Sequence, residues 1–89
     1  MLDNFWLEGR GAILKIEEAF GIVLREHRKR ASLSQEELAL DCGLDRTFIS
    51  LLERGQRRPT LNTIFAISKS LNIRPSQIIQ DVERILNEK

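Results

Sequence analysis

A chain of 89 residues with 42% hydrophobic and 30% charged content has the makings of one small globular domain with a single modest core. A formal net charge of +1 excludes a strongly basic, polyanion-coating protein, so any contact with a polyanion must rest on local charge clusters. No apolar run approaches the ~20 residues of a membrane span, no secretion-signal pattern opens the chain, and the lone Cys42 fits a reducing cytosol.

Residues 1–11, MLDNFWLEGRG, place Leu2, Phe5, Trp6 and Leu7 in a short apolar patch that Gly9 and Gly11 break off. Two interpretations stand open: a turn of helix lying on the protein's own core, or part of a dimer interface with Phe5 and Trp6 as anchors. An expression remnant at the outer end is a third. From Ile13 to Ala31 the period is helical, with Ile13, Ile16, Phe20, Leu24, His27 and Ala31 at steps of three and four. Gly21 interrupts that pattern and suggests a kink or break. His27 has no Cys, Asp or Glu at metal spacing and is expected to be a half-buried structural histidine.

Ser34 with Glu37 three residues on forms a capping-box pattern. The short helix that follows has Leu38 and Ala39 on its buried side and closes at Cys42-Gly43, where a positive φ would reverse the chain. Cys42 is expected to be a small packing thiol. Leu44 plugs the turn, and Asp45 is a natural N-cap for a second helix, Arg46 to Arg54. At 100° per residue, Phe48, Ile49 and Leu52 fall on one side of it, and Arg46, Thr47, Ser50 and Arg54 on the other. That outer side carries two guanidiniums and two hydroxyls, groups that hydrogen-bond base edges or phosphates. Residues 34–55 therefore read as a helix-turn-helix with its second helix presented outward.

Thr60 is the expected cap of a further helix, Leu61 to Leu71, with Leu61, Ile64, Ile67 and Leu71 on its buried side. Asn72 suits a left-handed helix end. A last helix over 75–87 begins at Arg74-Pro75, with Ser76 as the cap in place of Arg74. Its stripe is Ile78, Ile79, Val82, Ile85 and Leu86; part closes the core, and Val82 and Leu86 are the candidates for contact with a second subunit.

Charge is segregated along the chain. Arg25, Arg28, Lys29 and Arg30 cluster at the end of the first long helix; Arg46, Arg54, Arg57 and Arg58 cluster on and after the second half of the motif. Paired carboxylates in an acid–base arrangement, a phosphate-cradling glycine loop and a nucleophile triad are all missing, so the sequence does not describe an enzyme, and no metal or other cofactor is expected.

From Phe20 to Ile73 the chain resembles the Cro/C1-type (XRE) helix-turn-helix domain of phage lambda-type repressors. The matching pieces are FG-xx-LRE-x-R (Phe20 to Arg28), LSQEELA (Leu33 to Ala39), the turn CGL, FIS-xx-ERG (Phe48 to Gly55), RRPTL (Arg57 to Leu61) and the later SLNI. Small single-domain regulators such as restriction–modification controllers are similar, and antitoxins share the domain. The resemblance implies an all-α, five-helix lambda-repressor-like fold over residues 13–89, with residues 1–12 as a short N-terminal extension. It implies that Arg28 and Glu53 pair across the core to orient the recognition helix, and that Gln35 grips a phosphate and braces that helix. Arg46, Thr47 and Ser50 take the positions inserted into the major groove; a base-reading and a phosphate-only role both stand open for Arg46. Arg54, Arg57 and Arg58 take the loop that runs along the phosphates. Ile22 and Val23 fall where members of the family often carry polar residues, which implies cover from the N-terminal extension or a partner subunit.

Taken together, the residues and the resemblance lead to a cytoplasmic, nucleoid-associated regulator. It would bind double-stranded DNA sequence-specifically, as a homodimer on a pseudo-palindromic operator, and act by promoter occlusion or by contact with polymerase. The alternative is an antitoxin or protein-binding adaptor of the same fold, with the apolar extension as its contact. Membrane association is not expected of either.

Overall fold

A computed structural model of the protein describes residues 14–88, and among them the secondary structure is five α-helices without strands. They are α1 (Ile16–Arg30), α2 (Gln35–Cys42), α3 (Arg46–Glu53), α4 (Leu61–Leu71) and α5 (Pro75–Asn87). The extension over residues 1–12, including Phe5 and Trp6, lies outside the described residues.

The helices begin largely where polar side chains satisfy their first backbone donors. At α2 the Ser34 hydroxyl accepts from the Glu37 N–H at 3.0 Å, and the Glu37 carboxylate accepts from the Ser34 N–H at 2.8 Å. Thr60 caps α4 by accepting from the Thr63 N–H at 3.1 Å. The α1 start uses Glu18, whose carboxylate accepts from the Lys15 N–H at 2.8 Å. Two expected caps are not made. Asp45 sits at the N-cap of α3 in extended conformation without a side-chain bond to the helix, and Ser76 lies inside α5, whose N-cap is Arg74 and whose first residue is Pro75. Proline at that position needs no N–H partner, which makes a cap there less necessary.

Four of the helices end in one way. Ser32, Gly43, Gly55 and Asn72 all have positive φ, from 58° to 72°. Each donates its N–H to the carbonyl three residues back, and the next residue donates to the carbonyl five back. This is the Schellman closure, and it returns orphan carbonyls at the helix end to hydrogen bonding. Ser32 meets the demand with a residue that ordinarily avoids left-handed backbone.

The core is built from all five helices: Ala19, Phe20, Val23 and Leu24 of α1, Leu38 and Ala39 of α2, Ile49 and Leu52 of α3, Ile64, Ile67 and Leu71 of α4, and Ile78, Val82 and Leu86 of α5. Around it α1 packs on α3 and α5, α3 on α2, α2 on α4, and α4 on α5, so the contacts close a ring. Buried Ser68 fits among these apolar groups because its hydroxyl donates to the Ile64 carbonyl at 2.6 Å.

Several sequence-based expectations change here. Gly21 does not kink α1, which runs unbroken through it. A Cβ at that position would stand 2.6 Å from the carbonyl oxygens of both Leu52 and Glu53, so the glycine serves close approach of α1 to the end of α3. Val23 is fully buried by the domain's own helices, while Ile22 stays 41% exposed. Leu61, expected inside, is 70% exposed, because it stands a turn before Ile64, beyond the edge of the core. Val82 and Leu86 are buried in the core, so they are not free to meet a second subunit; α5 uses its 78/82/86 stripe to dock on the rest of the domain. Of that helix's apolar residues, Ile79 is the one left substantially exposed.

Candidate nucleic-acid interface

Helix α3, eight residues long, is too short to hold its own conformation. Its position comes from Ile49 and Leu52, which are fully buried, and from half-buried Phe48 beside them. With those three turned inward, Arg46 and Thr47 are exposed at the first turn and Ser50 is half-buried one turn on. The expected outward set is thus brought together on one face. Leu51, at the margin of that face, is half-buried.

The far end of α3 is pinned by a half-buried ionic network. Arg28 donates from Nε to Glu53 Oε2 at 2.5 Å and from a terminal nitrogen to Glu53 Oε1 at 3.0 Å, a bidentate pair. Its other terminal nitrogen donates to the Leu33 carbonyl at 2.8 Å, which ties the same side chain to the α1–α2 turn. The two side chains are only 11% and 4% exposed, so neither charge is tolerable alone. Hydrogen bonding to Glu53 raises the Arg28 guanidinium's proton affinity above its ordinary value, and the Glu53 charge adds to that against the lowering effect of burial. Gln35 joins the pair: its amide nitrogen donates to Glu53 Oε1 at 3.0 Å. The first residue of α2 thereby braces the last of α3.

Beyond Gly55 the chain passes three exposed arginines. Arg54 turns back toward the Ser50 carbonyl at 3.4 Å, Arg57 donates to the Gln56 carbonyl at 3.1 Å, and Arg58 lies 3.6 Å from the Glu17 carboxylate. The Arg58 side chain is 85% exposed, so that last pair is weak and solvent-screened. The three arginines, Lys15 and the acids Glu17 and Glu18 rim a polar cleft of about 700 Å³. Lys15 was not singled out in the sequence; its only signal was a charge next to the first helix, with nothing to say that the 54–58 loop would fold beside it.

The same holds for the partner of His27. His27 Nε2 lies 2.7 Å from Asp81 Oδ2, with both side chains largely buried, and Gln77 donates to the other Asp81 oxygen at 3.1 Å. The histidine is structural, as expected, but its carboxylate sits 54 positions away. Cys42 is half-buried with Sγ 3.7 Å from the Ala66 carbonyl, and burial pushes its thiol up, away from reactivity. Among the described residues there is no His/Cys/Asp/Glu cluster able to hold a metal ion and no helix long and apolar enough to cross a membrane.

A family model described as helix-turn-helix matches residues 24–78, more than half of the chain, and spans the network and the outward face together. The chain belongs to the helix-turn-helix family. Control protein C.BamHI of Bacillus amyloliquefaciens is 43% identical over 61 residues, covering 67% of this chain and 75% of that protein. Control protein C.MunI of Mycoplasma sp is 39% identical over 70 residues, covering 78% and 95%. Among solved structures, the restriction–modification controller protein C.AhdI from Aeromonas hydrophila superposes with a TM-score of 0.68 at 42% identity, over 70% of this chain and 94% of that one. The five-helix lambda-repressor-like expectation accords with these likenesses.

Proposed function

We propose that this DNA-binding regulator works as a homodimer on a two-fold symmetric operator, in the manner of a controller-type transcription factor of the cytoplasm and nucleoid. The observation that carries the proposal is the outward pair Arg46 and Thr47, held on a helix whose other end is locked by Arg28, Glu53 and Gln35. A rigid helix with hydrogen-bonding groups at its N-terminal turn suits the major groove. Arg46 reads a guanine edge, Thr47 and Ser50 contact neighbouring bases, and Arg54, Arg57 and Arg58 lie along the phosphates. Gln35 keeps its brace to Glu53 and offers its remaining amide oxygen side, with the α2 start, to the backbone of the DNA.

We infer that the dimer contact lies on α4. Leu61 and Phe65 are 70% and 58% exposed, one helical turn apart, and α4 directly follows the arginine loop. A second copy pairing there would set two arginine loops side by side, as adjacent half-sites require. Selection of the purified protein on a random DNA pool at near-physiological salt tests the proposal. Enrichment of a symmetric site with half-site centres about 10 bp apart, or a multiple, is expected. A folded protein that enriches no sequence would overturn it in favour of the adaptor alternative.

A further inference from the structure

Beside the arginine loop, but separate from the DNA-facing side of α3, an apolar groove of about 560 Å³ opens between α1, α4 and α5. Phe20, Ile64 and Val82 form its floor, and Ile16 and Ile79, 42% and 48% exposed, form its walls. A groove of this size is large enough for a bulky aromatic group and its neighbours. Arg58 and Pro59, from the loop before α4, complete its lining with Lys15 and Glu17.

We propose that the groove is the docking site of this chain's own N-terminal apolar segment, with Trp6 and its neighbours Leu2, Phe5 and Leu7 as the inserted side chains. Three observations select that occupant. Leu14 already packs against the core, and Lys15 and Ile16 line the groove, so the segment leaves the domain at the groove's edge. Six residues separate Leu7 from Leu14, two of them glycines, a tether able to span roughly 20 Å. Such a short tether holds its end at millimolar effective concentration, far above that of a second copy at ordinary working concentrations. Charge adds a small bias: Asp3 and Glu8 bracket the apolar run, and the groove's rim carries Lys15 and Arg58 with one acid, Glu17, 3.6 Å from Arg58.

Trp6 is the single tryptophan of the chain and reports on the docking directly. In the 89-residue chain its emission should be blue-shifted and protected from acrylamide, and should stay so across a dilution series. Ile79→Glu places a charge in the groove wall at a half-exposed position, and Ile16→Glu does the same on the opposite wall. Each should return the emission to that of a water-exposed indole while far-UV circular dichroism keeps the helical signal. Leu61→Glu, on the α4 surface, should leave it unchanged. Water-like emission in the parent protein would overturn the proposal, as would emission that neither groove variant moves in a folded protein. Protection that disappears on dilution, or on Leu61→Glu alone, would assign the segment to a second copy and overturn it equally.

Discussion

Arg46 stands at the first helical position of α3 with its side chain in solvent, where a guanidinium can reach a base edge without removing any contact within the protein. Arg46→Ala should therefore leave the fold intact and cost about 1–3 kcal/mol at one base position of the operator, relaxing specificity there. Binding titrations against operators mutated one position at a time would check it; equal loss on every sequence would make Arg46 a phosphate contact. Glu53 is the opposite kind of residue. Its side chain is 4% exposed and is held by Arg28 and Gln35. Glu53→Gln removes the charge that makes a buried guanidinium tolerable, and the fold should lose about 3 kcal/mol. A thermal or urea unfolding curve measures that directly, and an unshifted curve would remove the pair from the account. The family pattern named both residues, but it did not show what shields them from solvent. Their burial depends on the Leu33 carbonyl and Gln35 arriving from other elements.

At the scale of helices, the geometry of contact decides matters that periodicity leaves open. Gly21 looks like a weak point in α1, and intrinsic preference alone would predict that Gly21→Ala stabilises the helix by about 1 kcal/mol. The α3 carbonyls 2.6 Å from the new methyl reverse the sign, because backbone there cannot yield cheaply. A net loss of about 1–2 kcal/mol is expected, together with weaker operator binding as α3 is pushed out of place. The α1–α5 contact carries a pH signature. Burial alone would raise the Asp81 carboxyl, but hydrogen bonds from His27 and Gln77, with the charges of His27 and Arg84, hold it below its ordinary value. A carboxyl depressed in the folded state contributes stability that is complete above its unfolded value, about 3.9. That contribution is lost as pH falls through the lower folded value. Asp81→Asn should accordingly be less stable than the parent at neutral pH, with the gap closing in acid below about pH 4. Melting temperatures measured from neutral to acid pH would show the convergence, and parallel curves would argue against it.

For the whole molecule, the apolar surface left over after folding is more informative than the apolar stripes in the sequence. The core takes Val82 and Leu86, and the surface keeps Leu61, Phe65, Ile79 and Leu40. An α4-paired dimer predicts that Leu61→Glu combined with Phe65→Glu yields a folded monomer, seen by sedimentation equilibrium. Its operator affinity should fall at least tenfold, since linked half-sites gain from effective concentration. A double variant that remains dimeric would move the interface elsewhere. Net charge near neutral makes this coupling consequential, because each monomer has little general attraction to DNA on which to draw.

Local chemistry was enough to establish the helices, their main caps, the left-handed positions Gly43 and Asn72, and the outward face of α3. Each depends on neighbours within a turn or two, and hydrophobic period and capping residues record those neighbours directly. The tertiary structure alone decided how much of the apolar stripes of α4 and α5 is spent on the core, leaving out Leu61 and Ile79. It also decided why Gly21 is a glycine, that Asp81 answers His27, and that Lys15 joins the arginine loop. These are relations between residues far apart in the chain, and a periodic pattern marks an apolar face without saying what covers it. Burial is settled only when five helices close around one volume too small to take every apolar side chain they offer.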